Sequence, residues 1–389
     1  MQPNRDFSRL LENVPPSGIR EFFDLVIGRK DVISLGVGEP DFATPWAIRE
    51  AGFYALEKGR TSYTSNKGLK ELRVAAAQYF RERFKVDYDS EEEVLITVGG
   101  SEAIDLGFRA LLNPGDEVLL PEPNYVCYRP LVELTGATAV TLDTTATRFL
   151  PEVAELKKKL TPRTKAIVLA YPSNPTGMAP TRAQQQAWAN FAIENDLWVL
   201  SDEIYAELVF DGVPFESMAS LPGMQDRTLL VTGVSKAFAM TGWRVGIAAG
   251  PASLLGRMCK IHQYAMLCAP IMSQYAAVEA LTQGERVVAP MRDSYRYRRN
   301  YFVAALRQMG LEVHQPEGAL YVFPSVRAAG LSSRDFAMGL LKEHSVAVVP
   351  GTAFGASGEG YIRCCYATEF NNLKEAAARM AAFVKPRLK

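Results

Sequence analysis

Thr228-Leu229-Leu230-Val231-Thr232-Gly233-Val234-Ser235-Lys236-Ala237-Phe238-Ala239-Met240-Thr241-Gly242-Trp243-Arg244-Val245-Gly246 is the stretch around which the rest of the chain becomes readable. Its apolar start reads as a buried strand that ends in Gly233. Lys236 therefore falls in the loop just past a strand. A lysine so placed can be desolvated and crowded by cations, which lowers its pKa and frees the neutral amine for a Schiff base. Arg244, eight positions on and flanked by Gly242 and Gly246, offers both the crowding charge and a fork for a phosphate. A solvated lysine and arginine in a glycine-rich turn would read the same way, so the weight must come from elsewhere in the chain.

The chain has 389 residues, 48% hydrophobic and 22% charged, which suits about two domains with an ample core. Its 43 basic and 43 acidic side chains cancel, so no overall field points to nucleic acid or to an anionic membrane. Residues 1–6 open no signal peptide and no apolar run reaches membrane-spanning length, so a cytoplasmic location is expected. The 5 cysteines show no Cys-x-x-Cys spacing and read as reduced core thiols, Cys364 and Cys365 included. Only 3 histidines, widely separated, argue against a zinc site or a histidine-dependent triad. The basic run 292–299, interleaved with Tyr295 and Tyr297, reads as a solvated helix face.

From residue 94 onward, apolar strands (94–98, 117–120, 137–142, 166–170, 197–200, 228–232 and 245–249) alternate with helical stretches or loops. That alternation marks an α/β fold with a mostly parallel, doubly wound sheet and helices on both faces. Sites in such sheets gather beyond the carboxyl ends of the strands. Upstream, residues 32–40 look like a short strand breaking into a glycine loop, and Tyr63 to Gly68 is a polar loop feeding a helix from Leu69 to about Phe84. Downstream, a helical stretch from about Pro251 to Met309 is expected to be interrupted at Pro270 and Pro290. Short strands around Val313, Tyr321 and Ile362, with helices at 334–344 and 372–385, suggest a smaller α+β domain.

Three further groups stand at strand ends. Gly99-Gly100-Ser101-Glu102 opens a helix whose free N–H groups and positive dipole end can cradle a phosphate, although Ser101 would serve equally as a plain cap. Tyr171-Pro172-Ser173-Asn174-Pro175-Thr176-Gly177 is a stiff loop that would fix the Asn174 amide. Ser201-Asp202-Glu203-Ile204-Tyr205 puts a carboxylate just past a buried strand, where it needs a cationic or hydrogen-bonding partner. A protonated pyridine nitrogen would serve, and Tyr205 could reach an adjacent phenolate oxygen.

In this order the set resembles the fold-type-I, pyridoxal-5′-phosphate-dependent aminotransferases of classes I and II, from about Leu35 to the C-terminus. Its most specific pieces are Ser173-Asn174-Pro175-Thr176-Gly177 and Ser235-Lys236 with Gly242-x-Arg244-x-Gly246. The resemblance implies a seven-stranded large domain at 45–280 and a smaller one made of 1–44 and 281–389. It implies Lys236 as the Schiff-base lysine and proton carrier, Asp202 as partner of the pyridine nitrogen, and Asn174 with Tyr205 on the phenolic oxygen. Tyr125 matches the aromatic residue stacked on the ring. Gly100, Ser101 and Glu102 amides, with Ser235 and Arg244 side chains, match the phosphate partners. Tyr63 matches a tyrosine that serves the neighbouring subunit of a homodimer, and Arg363 one that clamps the substrate carboxylate, with Gly36 in the loop that closes over it.

Transamination between an L-α-amino acid and a 2-oxo acid, with 2-oxoglutarate as acceptor, is the expected activity. A carbon–sulfur lyase or a non-catalytic cofactor-binding regulator would share the same cofactor groups. Gly100 to Asp105 and Lys260-Ile261-His262-Gln263-Tyr264 look closest to a bacterial branch that includes aspartate, aromatic and acetyl-diaminopimelate aminotransferases. No lysine stands at Ser101 to bind a distal carboxylate, and nothing in the sequence places Arg20 there. With Ile19 and Tyr125 near the mouth, a permissive pocket for aromatic or medium-sized donors is expected.

Overall fold

The computed structural model describes residues 8–12, 14–24, 26–29 and 31–388, so residues 1–6 lie outside it. Its strands in chain order are β1 (Ile33–Ser34), β2 (Val94–Thr97), β3 (Glu117–Glu122), β4 (Thr138–Asp143), β5 (Thr164–Ala170), β6 (Trp198–Asp202), β7 (Thr228–Gly233), β8 (Gly246–Ala249), β9 (Tyr321–Val322), β10 (Val346–Ala347), β11 (Val349–Pro350) and β12 (Ile362–Cys365). Seven of them form one sheet in the order β2-β8-β7-β6-β5-β3-β4. Only β8 runs against its neighbours, β2 and β7; every other pairing is parallel.

Parallel strands covered on both faces need apolar residues at every position, and the two faces can be followed along each strand. Val118, Leu120, Ala166, Val168, Leu200, Leu229 and Val231 point to one layer, where they meet helices Gly100–Leu111 and Ala252–Ala265. Leu119, Ile167, Leu169 and Val199, one residue out of step, point to the other, against Trp188 and Phe191 of helix Arg182–Glu194. That helix begins with a capping box between Thr181 and Gln184.

Register brings the chemistry together. Ala170 lies opposite Asp202, and Asp202 opposite Val231. The loops carrying Asn174, Tyr205 and Lys236 thus leave the sheet side by side. Gly246 pairs with Thr97, and a Cβ on Gly246 would run into the backbone of Gly99 and Gly100.

The rest of the chain forms two small sheets. β12 lies between β11 and β9, antiparallel to both, and β1 pairs in parallel with β10. The Cys365 amide also donates to Leu35, which ties the segment after β1 to the strand that carries Arg363. No helix among the described residues is long and apolar enough to cross a membrane.

Three local expectations are corrected. Val313 lies in no strand; its carbonyl accepts from Arg307 instead of a neighbouring strand. Pro290 does not interrupt a helix but lies inside Glu285–Gln308, and the break falls at Gly284. Pro290 lies past the first turn and forfeits one intrahelical bond, and packing of Val288, Met291 and Tyr295 outweighs that loss. Asp202 is the last residue of β6, not the first beyond it, because its backbone still pairs with Ala170 and Val231.

Candidate active site

Beyond those strand ends opens a cavity of about 610 Å³. Gly36, Gly100, Ser101, Tyr125, Asn174, Asp202, Tyr205, Ser235, Lys236, Arg244 and Arg363 all line it. Of the residues singled out above, Glu102 and Tyr63 do not. Tyr63 is 81% exposed on the outer surface.

Lys236 follows β7 by three residues and donates from Nζ to the Gly38 carbonyl at 2.6 Å. Its enclosure pushes the amine down to about 8, with Arg363 and Arg244 pressing the same way and Glu39 opposing. Asp202 is buried, and its Oδ2 accepts from the Tyr128 hydroxyl at 2.7 Å while Oδ1 accepts from the Ile204 amide. Burial raises its pKa, and those two hydrogen bonds and Lys236 pull it back. Its neighbour Glu203 faces away from the cavity; Ser201, Ser217 and the Met218 amide all donate to its Oε1.

Arg363, on β12, is 1% exposed. Its Nη1 donates to Asn174 Oδ1 at 3.0 Å and its Nη2 to the Gly36 carbonyl at 2.6 Å. The guanidinium stacks over Tyr321 and Phe354, and its buried Nε has no hydrogen-bond partner among the described residues. Tyr205 and Tyr321 share a hydrogen bond of 2.7 Å, and Tyr321 reaches on to the Gly38 carbonyl.

At the start of helix Gly100–Leu111 the cap is Gly99 and not Ser101. Gly99 has φ +79°, no side chain to occupy the free N–H groups, and the Arg244 guanidinium where a Cβ would stand. Glu102 turns back on itself: one carboxylate oxygen accepts from the Val98 amide and the other meets His262 Nδ1 at 2.7 Å. The Tyr125 ring meets that of Tyr128 edge to face, and burial pushes its hydroxyl up to about 12.

Sequence reasoning missed Tyr128, Tyr321 and His262. Tyr128 had a signal, since it stands three residues after Tyr125 in the same stretch; the other two join the site only through the fold.

The family of class I and II aminotransferases matches residues 30–380. The chain belongs to that family, and it is an enzyme, a transaminase of fold type I. Across 97% of its length it is 51% identical to a putative aminotransferase of Bacillus subtilis, 98% of which is covered. It is 44% identical to aromatic-amino-acid aminotransferase 2 of Thermococcus litoralis, with 96% of this chain and 97% of that one covered. Among solved structures, the aspartate aminotransferase from Thermus thermophilus with maleate superposes with a TM-score of 0.92 at 36% identity, covering 97% of this chain and 99% of that one.

Proposed function

We propose that the chain is a pyridoxal-5′-phosphate-dependent aminotransferase, acting as a ping-pong homodimer on an L-α-amino acid and 2-oxoglutarate. The observation that carries this reading is one cavity holding both the Lys236 amine and the Arg363 guanidinium, whose buried Nε has no hydrogen-bond partner among the described residues. The residues present fit the cofactor. A buried carboxylate whose proton affinity is raised by desolvation suits a ring nitrogen that brings a proton, and Asp202 supplies it. Free helix amides beside Arg244 suit a phosphate.

When bound, the cofactor supplies an aldehyde to take the amino group and a ring to accept the electron pair left at Cα. The protein supplies the rest. Arg363, braced by Asn174 and the Gly36 carbonyl, binds the substrate carboxylate, and the 36–38 loop excludes water above it. Lys236 Nζ, with its lowered pKa, takes the Cα proton. Asp202 would keep the ring nitrogen protonated, Asn174 and Tyr205 would hold the phenolic oxygen, and Tyr125 would pack against the ring. Ser235, Arg244 and the Gly100, Ser101 and Glu102 amides would hold the phosphate, joined by Tyr63 of the partner subunit. The exposed aromatic rings of Trp46, Phe53, Tyr63 and Tyr264 support such a partner. Residues 45–280 would form the large domain, and 1–44 with 281–389 the small one.

Ile19, Ile104, Tyr125 and Val126 give the cavity an apolar wall, which suits aromatic or medium-sized donors. Arg20, paired through Nε with Asp24, also lines it and would meet the distal carboxylate of the acceptor. Screening the common amino acids against 2-oxoglutarate by kcat/KM tests this. Phenylalanine and methionine should be good donors. Aspartate exceeding both by about a hundredfold, roughly 2.7 kcal/mol of transition-state binding, would refute the permissive pocket.

A further inference from the structure

Glu102 is the only acidic residue in the first turn of helix Gly100–Leu111. Its amide is one of those proposed above to bind the phosphate, and the inference that follows rests on that reading. A carboxylate in a first turn is drawn to the free N–H groups and the positive dipole end of its own helix. Left to itself it would compete with any incoming anion. Here it does not, because both of its oxygens are engaged elsewhere, one by the Val98 amide and the other by His262.

His262 is fully buried, in the last turn of helix Ala252–Ala265, where its backbone carbonyl also accepts from Met266 and Leu267. A carboxylate oxygen only accepts, so Nδ1 is the donor of the 2.7 Å contact. Nε2 is buried with no hydrogen-bond partner among the described residues. Burying a polar ring atom unpaired is unfavourable, and a leucine would fill the same space without that cost. The contact to Glu102 is what the imidazole offers and a leucine does not.

We infer that His262 is a positioning residue for the cofactor phosphate. It holds the Glu102 carboxylate turned back toward Val98, so that this residue presents its amide, and not its charge, to the anion.

The test uses apoprotein and compares pyridoxal 5′-phosphate with pyridoxal, which lacks the phosphate, by absorbance titration, with inorganic phosphate as a competing ion. His262→Leu should weaken pyridoxal 5′-phosphate about tenfold, the size of one charge-assisted hydrogen bond. Pyridoxal binding should not change, and inorganic phosphate should compete less well. His262→Asn, whose amide places a donor near the position of Nδ1, should restore the affinity. In a Glu102→Gln background His262→Leu should have no further effect, since no charge is left to restrain. Unchanged affinity in His262→Leu, an equal loss for both ligands, or an asparagine as poor as the leucine would each overturn the inference. Should His262→Leu fail to fold, Glu102→Gln alone must bind the phosphorylated ligand at least as tightly as the parent, and weaker binding would overturn it. A parent protein that does not prefer the phosphorylated ligand refutes the phosphate site itself, a result distinguishable from failure of the histidine's role.

Discussion

The hydroxyl of Tyr128 lies 2.7 Å from Oδ2 of Asp202, 74 residues further along the chain. Burial makes that carboxyl hold its proton more tightly, and the hydrogen bond from Tyr128 to its ionised form offsets part of the effect. Tyr128→Phe removes the offset, so Asp202 should stay protonated to higher pH. The acid limb of the kcat/KM profile should then move upward. A charge-assisted bond of about 1.5–3 kcal/mol corresponds to a displacement of that limb by roughly one to two pH units. An acid limb that stays in place would separate the two residues functionally.

Lys236 should react with the cofactor aldehyde only as the neutral amine. With its pKa lowered to about 8, the rate of cofactor capture by apoprotein should climb through that pH and level off above it. At pH 7.5 roughly a quarter of the amine is neutral, against about one part in a thousand for an unshifted lysine. Stopped-flow absorbance across pH checks this, and a limb near the ordinary lysine value would contradict it. Lys236→Ala should lose both transamination and borohydride-fixable cofactor.

If Tyr63 serves the partner's site, two dead proteins should repair each other. A hybrid dimer of Lys236→Ala and Tyr63→Ala subunits contains one site with both residues intact. Mixing the variants under conditions that exchange subunits should restore activity toward half that of a parental dimer in the hybrid fraction. Activity that remains the simple average of the two variants would show that Tyr63 does not act across the interface.

Burial raises the Glu203 carboxyl to about 7, against 4.5 for the free group. A raised value means that the folded state binds this proton more tightly. The resulting stability is fully present below about pH 4.5 and is lost as pH rises through about 7, a swing on the order of 3 kcal/mol. Glu203→Gln keeps an oxygen for Ser201, Ser217 and Met218 but cannot ionise. Urea midpoints should therefore shift in favour of the variant between about pH 5 and pH 8. A difference independent of pH would show that the group titrates normally.

Much of this was legible along the chain because the large sheet is doubly covered. Runs such as Leu229 to Val231 are apolar throughout, and the residues that follow each run fall at the same edge. The helix start at Gly100 and the loop at Asn174 announced themselves by glycine and proline. Tyr321 was not legible, since its partner Tyr205 lies 116 residues earlier. Nor was the clamp of His262 on Glu102, which spans 160 residues between two helices on one face. Nor was the tolerance of Pro290, because the packing of Val288, Met291 and Tyr295 that offsets its lost hydrogen bond forms only in the fold.

Gly246 has no room for even a methyl group against Gly99 and Gly100, and Arg244 precedes it by two residues. The arginine and the helix amides therefore travel as one rigid jaw, since β8 cannot slide without driving through the turn that precedes the helix. Loading and release of the proposed cofactor would then fall to the opposite wall. There Gly36, Gly38 and Arg363 come from segments outside the seven-stranded sheet. On the proposed assignment the phosphate end would be the anchor, and the substrate end the door.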